Sequence, residues 1–383
     1  MSRPFFLLTM SMIALAFGAQ LLAIEPQDDE NVILEFAVNP NDGIFKLPVS
    51  IGEQRVLFAI DTGASTMAVD SALQPYLGEK IRDIDALTSA GSKTISTFRG
   101  IHAKAGRWNL SRRSEVAVID FGPLSRTERN ELKGVIGMTD LRWHIFEFDY
   151  DHNVIRILKA LRTEPMQRIP LRYPPELQPH VECVIGEMLS EEFMIDTGGF
   201  EGILIRSAVY DRLVDSGEIT STGGRPGTDI DGRCVVVDCG RIKRFAIGHH
   251  VLRNLVVCRG KTNMLSQCFL NRFLVTFDFP KHALYLQQGR RFNEPDRTGI
   301  AGFGVSFVQD DLQVVTISEK GTAAQAGLKL NDVIEQIDDE NIVGKTLFQI
   351  RRALEKAPSK ALSLRVRRDG NFRDITIMVP NVE

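Results

Sequence analysis

The chain writes one apolar pattern twice. "VSIGEQRVLFAIDTG" (residues 49–63) runs as a strand, breaks at an Ile-Gly-Glu turn, resumes as a second strand and ends in Asp-Thr-Gly. "CVIGEMLSEEFMIDTG" (183–198) does the same with one extra residue in its hairpin. Downstream the likeness returns in "GVIGMTDLRWHIFEFDYDHNVIRI" (134–157) and "NMLSQCFLNRFLVTFDFPKHALYL" (263–286). Gly137 precedes Asp149 by 12 residues and Ser266 precedes Asp278 by 12; each copy then shows a turn ("YDHN", "FPKH") and a closing strand. Each copy thus predicts a terminal hairpin. Two β-rich units of like length and order therefore lie in tandem, at 31–158 and 170–287, joined by a linker at 159–169 that opens the stretch "LRTEPMQRIPLRYPPEL" with its four prolines.

A third unit, 297–383, follows the polar stretch "QQGRRFNEPDRTG". It contains a helical segment in which Leu347, Ile350, Ala353 and Leu354 share one face. Two strands after it meet at Asp369-Gly370, a tight hairpin signal. The expected fold is mainly β, two lobes followed by a small α+β unit.

The N-terminus breaks the pattern. One basic residue, Arg3, precedes an apolar run from Phe5 to Ile24, and "EPQDDEN" then turns acidic. Residues 1–24 read as a secretory signal, with Ala16, Gly18, Ala19 and Ala23 offering cleavage points. An uncleaved anchor is the other reading, since the run is nearly long enough to span a bilayer. The expectation is an exported protein, periplasmic or secreted, touching a membrane only if that segment is retained.

Composition adds little. A chain of 383 residues exceeds one core, in keeping with several domains. Lys plus Arg (46) nearly balance Asp plus Glu (49), which gives no reason to expect nucleic acid as a partner. All five cysteines lie between Cys183 and Cys268, without metal-ligand spacing. An oxidising compartment permits a disulfide in this region. Cys234 with Cys239, or pairing with Cys183 or Cys258, are all open, as are buried free thiols. There is no glycine-rich phosphate loop, no G-x-S-x-G and no His-Glu-x-x-His, so no cofactor or metal is called for.

The repeated Asp-Thr-Gly is where chemistry enters. A single copy is an ordinary turn device. Two copies at matched places in a duplicated fold can meet about a pseudo-twofold axis, bringing Asp61 beside Asp196. Two adjacent carboxylates share a proton and one pKa rises. The ionised member can take a proton from a water while the protonated member polarises a carbonyl. Thr62 and Thr197 can lock the two loops together, and Gly63 and Gly198 let backbone come close.

"IDTGAST" with "GVIGMTDL" resembles the retroviral-type aspartic protease lobe, and the tandem arrangement resembles the two-lobed pepsin architecture, over residues 31–287. The resemblance implies β-barrel lobes, endopeptidase activity on a peptide or protein substrate, and Asp61 and Asp196 as the catalytic pair. It implies Val135-Ile136-Gly137 packed behind Asp61, with Ile136 and Gly137 supporting the pair. It also implies a hairpin flap, best matched by "TSAGSKTISTFRG" (88–100) with Gly91 and Ser92 at its tip, though a plain surface hairpin reads equally well. Trp108 and Trp143 are expected in the core or a pocket wall.

The second lobe departs from the pattern: Gly199-Phe200 replaces Ala64-Ser65, Met264-Leu265-Ser266 stands where a glycine should end the segment, and Asn263 matches Gly134. Either the serine is tolerated or the second loop is shifted. "GTAAQAGLKLNDVI" (321–334) resembles the PDZ domain of bacterial exported proteases. That implies Gly302-Phe303-Gly304-Val305 as a loop whose N–H groups bind a chain-terminal carboxylate, the peptide adding as a strand. Two other readings stand beside the protease: a peptide-binding protein inactivated by the second-lobe changes, and a β protein whose Asp-Thr-Gly segments are only turns.

Overall fold

A computed structural model describes residues 29–100, 102–110, 115–162, 167–297, 299, 301–355 and 359–380, together with the backbone of a short strand at Ala23–Ile24. Apart from that strand, the expected export segment lies outside the described residues. The protein is mainly β, as expected.

What joins the two lobes is a sheet to which both contribute. Its seven strands include Val32–Ala37, Val154–Leu158 and Ile145–Asp149 from the first repeat, then Phe273–Asp278 and Ala283–Gln288 from the second, in that spatial order. The two closing hairpins expected from "YDHN" and "FPKH" are thus laid edge to edge. Ile145 pairs with Asp278 and Asp149 with Leu274, antiparallel. The edges that would otherwise be open are spent on each other. One face is a layer of fully buried rings: Phe146 and Phe148 lie 6.2 Å apart, Phe148 and Phe277 5.6 Å, Phe277 and Phe279 4.9 Å. This layer belongs to one apolar core that runs through both lobes. Charges line up elsewhere on these strands. Arg156 bonds Glu35, Glu147 and Asp149, and Arg162 bonds Glu147 and Asp29.

Within each lobe, the strand ending in the aspartate is flanked by a parallel partner. Gly134–Ile136 runs beside Phe58–Ile60, and Met264–Ser266 beside Met194–Asp196. A long hairpin projects from each lobe. The first is Lys80–Thr88 with Gly91–Arg99, and the second is Ile219–Thr228 with Cys234–Ile247. The first turns at residues 89–90, so the tip sits two residues before the expected Gly91 and Ser92. The second was not legible as strand.

Cys239 and Cys258 face each other across the strands Cys234–Ile247 and His250–Gly260 and form the disulfide, leaving Cys183, Cys234 and Cys268 free. Trp108 is core, but Trp143 is 64% exposed, contrary to expectation. Its ring lies under the Arg142 guanidinium at 4.5 Å, and its indole N–H donates to the Thr139 carbonyl, so its needs are met at the surface.

The third unit buries a separate apolar cluster. Its helix Leu347–Leu354 begins with a capping box between Thr346 and Gln349 and buries Leu347 and Ile350. Asp369 and Gly370 both take positive φ, as a tight hairpin turn requires.

Because the lobes share one core, Phe148→Ala should cost about 3–5 kcal/mol. It should unfold both lobes in one transition in urea; separate transitions would contradict the shared sheet. Titration of thiols in denatured, unreduced protein should count three of the five cysteines, the number left by the Cys239–Cys258 bond.

Candidate active site

Asp61 and Asp196 end equivalent strands and meet, as the duplicated motif required. The threonines that follow them cross over. Thr62 donates its hydroxyl to the Ile195 carbonyl at 2.7 Å, and Thr197 donates to the Ile60 carbonyl at 2.7 Å. Each hydroxyl also accepts the other threonine's backbone N–H at 3.1 Å. Both threonines are fully buried. Four reciprocal bonds out of reach of water fix the two loops against each other.

The glycines explain how closely. A Cβ on Gly63 would lie 2.7 Å from the Asp196 carboxyl carbon, and one on Gly198 would lie 2.4 Å from that of Asp61. Each loop therefore rests on the other's aspartate. Asp61 Oδ1 accepts from the Ala64 N–H at 3.0 Å. Asp196 Oδ1 accepts from Gly198 at 2.8 Å and Gly199 at 2.9 Å. The two carboxyl groups are hydrogen-bonded to each other.

Burial, then the Asp61 charge, push Asp196 up to about 8. Burial also raises Asp61, but the hydrogen bond from Asp196 favours its ionised form. Both carboxyls are thus raised, and the pair holds one proton between them.

Ile136 is buried behind Asp61 and its carbonyl accepts the Asp61 N–H at 3.0 Å. Gly137 is obligatory, since a Cβ there would lie 2.4 Å from the Thr66 carbonyl oxygen. The second lobe accepts Ser266 at the equivalent place by a different route. Ala68 lies opposite Val135 and Leu204 opposite Met264, seven and eight residues after their aspartates (61 to 68, 196 to 204). The longer second loop puts Gly202 across from Ser266, whose N–H it receives at 2.9 Å. The glycine has changed strands, and Ser266 is buried without moving the dyad.

Two glutamines brace the loops and had no signal in the sequence. Gln178 donates to the Gly63 carbonyl at 3.2 Å and the Ser65 hydroxyl at 3.1 Å. Gln267 donates to the Thr197 carbonyl at 2.6 Å.

The two long hairpins meet at their tips. Lys93 pairs with Asp231, and the Ile230 N–H donates to the Ser89 hydroxyl at 2.9 Å. Ile230 packs in one apolar cluster with Ile44, Ala64, Ile84 and Leu124, beside the first dyad loop.

Residues 47–139, which hold the first Asp-Thr-Gly and its packing segment, match the family model for aspartyl protease. Residues 313–368 match the model for the PDZ domain. The chain carries a retropepsin-like aspartyl protease domain and a C-terminal PDZ domain. No curated protein matches the chain.

In the PDZ domain, Gly302 takes positive φ and its carbonyl accepts the Ser318 N–H at 2.7 Å. Phe303, Gly304 and Val305 open the strand Phe303–Val308, which lies at the edge of its sheet. Gly304 faces the protease domain: a Cβ on it would lie 2.3 Å from Pro226 of the second hairpin.

The raised Asp196 carboxyl has a consequence for stability. The folded protein holds a proton that the unfolded chain gives up near pH 4. The stability that this group contributes is complete below that pH and is lost as pH rises towards about 8. An asparagine in its place does not titrate and carries no such loss. Urea unfolding at pH 4, 6 and 8 should show Asp196→Asn gaining stability over the wild type as pH rises; an unchanging difference would contradict a raised pKa.

Proposed function

We propose that the protein is an exported aspartic endopeptidase whose water is activated by the Asp61/Asp196 pair. The observation that carries this reading is the pair itself: two hydrogen-bonded carboxyls, one holding the proton, fixed by a buried threonine cross-lock. An extended peptide lies beneath the two hairpins. Asp61 takes a proton from a water, whose oxygen attacks the scissile carbonyl carbon. Asp196 gives its proton to the carbonyl oxygen, and a neutral diol results. Asp61 then returns a proton to the amide nitrogen, the C–N bond breaks, and Asp196 recovers its proton from the diol.

Export is supported by the apolar N-terminal run and by a disulfide, which persists in oxidising compartments. The PDZ domain is proposed to take peptide C-termini beside the strand Phe303–Val308, with Gly302 to Val305 receiving the carboxylate once Pro226 moves off Gly304.

Incubation with unfolded protein tests the reading. Asp61→Asn and Asp196→Asn should each lower kcat by about 10²–10⁴-fold. The double variant should be scarcely worse than either, because the pair acts as a unit. Both should remain folded. Near-full activity in Asp196→Asn with a dead Asp61→Asn would sink the single-chain dyad and point to pairing of first lobes between two chains. A wild type without activity that still binds C-terminal peptides would favour the inactive peptide-binding reading.

A further inference from the structure

The second lobe's oddest residue is Phe200. It stands two places after the Gly198 that touches Asp61, where the first loop has Ser65. The two loops are held differently. The first runs Gly63-Ala64-Ser65 and is held from outside by Gln178 through both the Gly63 carbonyl and the Ser65 hydroxyl. The second runs Gly198-Gly199-Phe200, two consecutive glycines whose N–H groups hold Asp196. Glycine pairs are conformationally loose, so this loop needs a brace more than the first does.

Gln267 holds its start, donating from its side chain to the Thr197 carbonyl and from its backbone to the Gly199 carbonyl, and the brace on Phe200 comes from the PDZ domain. Phe348 meets Phe200 edge to face, with ring centroids 5.0 Å apart at 83°. Backbone closes the third side: a Cβ on Gly43 (φ +78°) would lie 3.0 Å from the Phe348 ring and 3.2 Å from the Phe200 ring. That backbone is itself anchored. Asp42 pairs with buried Lys46 at 3.1 Å, and its carbonyl accepts from Asn130 at 2.9 Å. Thr346 donates to the Asn41 carbonyl at 3.3 Å. Thr346 also caps the helix that carries Phe348, so the ring projects from a fixed first turn.

Away from this junction, Arg129 of the first lobe lies over the Phe307 ring at 3.7 Å and donates to the Asp310 carbonyl at 2.7 Å. The PDZ domain is therefore seated on both lobes, not only on Phe200.

We infer that Phe348 is a positioning residue for Asp196: the PDZ helix braces Phe200 and so completes the active site in cis. The inference rests on the protease reading above. It makes the PDZ domain part of the catalytic unit, in addition to any role in binding peptides.

The test uses the full chain and fluorescently labelled casein, with initial rates measured over a range of casein concentrations. The variants are Phe348→Ala, Phe348→Leu, Phe200→Ala, the Phe200→Ala/Phe348→Ala double, Asp61→Asn, and Phe372→Ala as an exposed PDZ control away from the junction. Phe348→Ala and Phe200→Ala should each lower kcat about ten- to a hundredfold with KM little changed, since a small misplacement of a reacting group has that effect. The double variant should be no worse than the singles, as expected for residues that act through one contact. Phe348→Leu should recover most of the rate, and Phe372→Ala should match the wild type. Thermal melts check that each variant is folded.

Wild-type kcat in Phe348→Ala, a loss confined to KM, or single effects that multiply in the double would overturn the inference while leaving the protease reading intact. If the wild type cleaves no faster than Asp61→Asn, the protease reading fails and the inference falls with it.

Discussion

Everything at the centre of the molecule depends on two threonine hydroxyls. Each is fully buried, and each makes one bond as donor and one as acceptor across the boundary between the lobes. A hydroxyl in that position cannot be left unpaired without a penalty of about 1–3 kcal/mol. The lock therefore holds only when both loops are in register. Register brings Gly63 onto Asp196 and Gly198 onto Asp61. That closeness forces one proton to serve two carboxyls. The shared proton is a result of backbone packing, with no special residue needed to create it.

The rest of the fold keeps that register. The shared sheet joins Ile145–Asp149 to Phe273–Asp278, so the lobes cannot slide without breaking its central pairing. The hairpin tips close the opposite side through Lys93 and Asp231. The PDZ domain adds a third support at Phe200. Support arrives from three directions, while the dyad loops themselves are glycine-rich and soft.

Much of this was legible in the sequence. The dyad, its threonines and glycines, the Ile136-Gly137 support and the closing hairpins all sit in short segments whose apolar period ends at a marked residue. What was not legible depends on partners distant in the chain. The second hairpin carries Gly223, Gly224, Pro226, Gly227 and Gly232, letters that read as loop. It holds as strand because Ile219–Thr228 is an edge strand, where a proline forfeits no ladder bond. Gln178 and Gln267 are ordinary polar residues until folding sets them against loop carbonyls. Trp143 looked like core by size alone, and its exposure follows from a local bond and a neighbouring arginine. Phe200 looked like a defect in a motif because its partner, Phe348, belongs to another domain.

The glycine that changed strands makes the two dyad loops non-equivalent. A side chain at position 137 would collide with the Thr66 carbonyl, so serine is barred while the loop keeps its shorter length. The second loop, longer by one residue, sets Gly202 opposite Ser266 instead, where even a Cβ would meet nothing nearer than 3.8 Å. A serine therefore fits the longer loop and not the shorter one. The two halves are not interchangeable at this position, since the residue of each requires the loop length that goes with it.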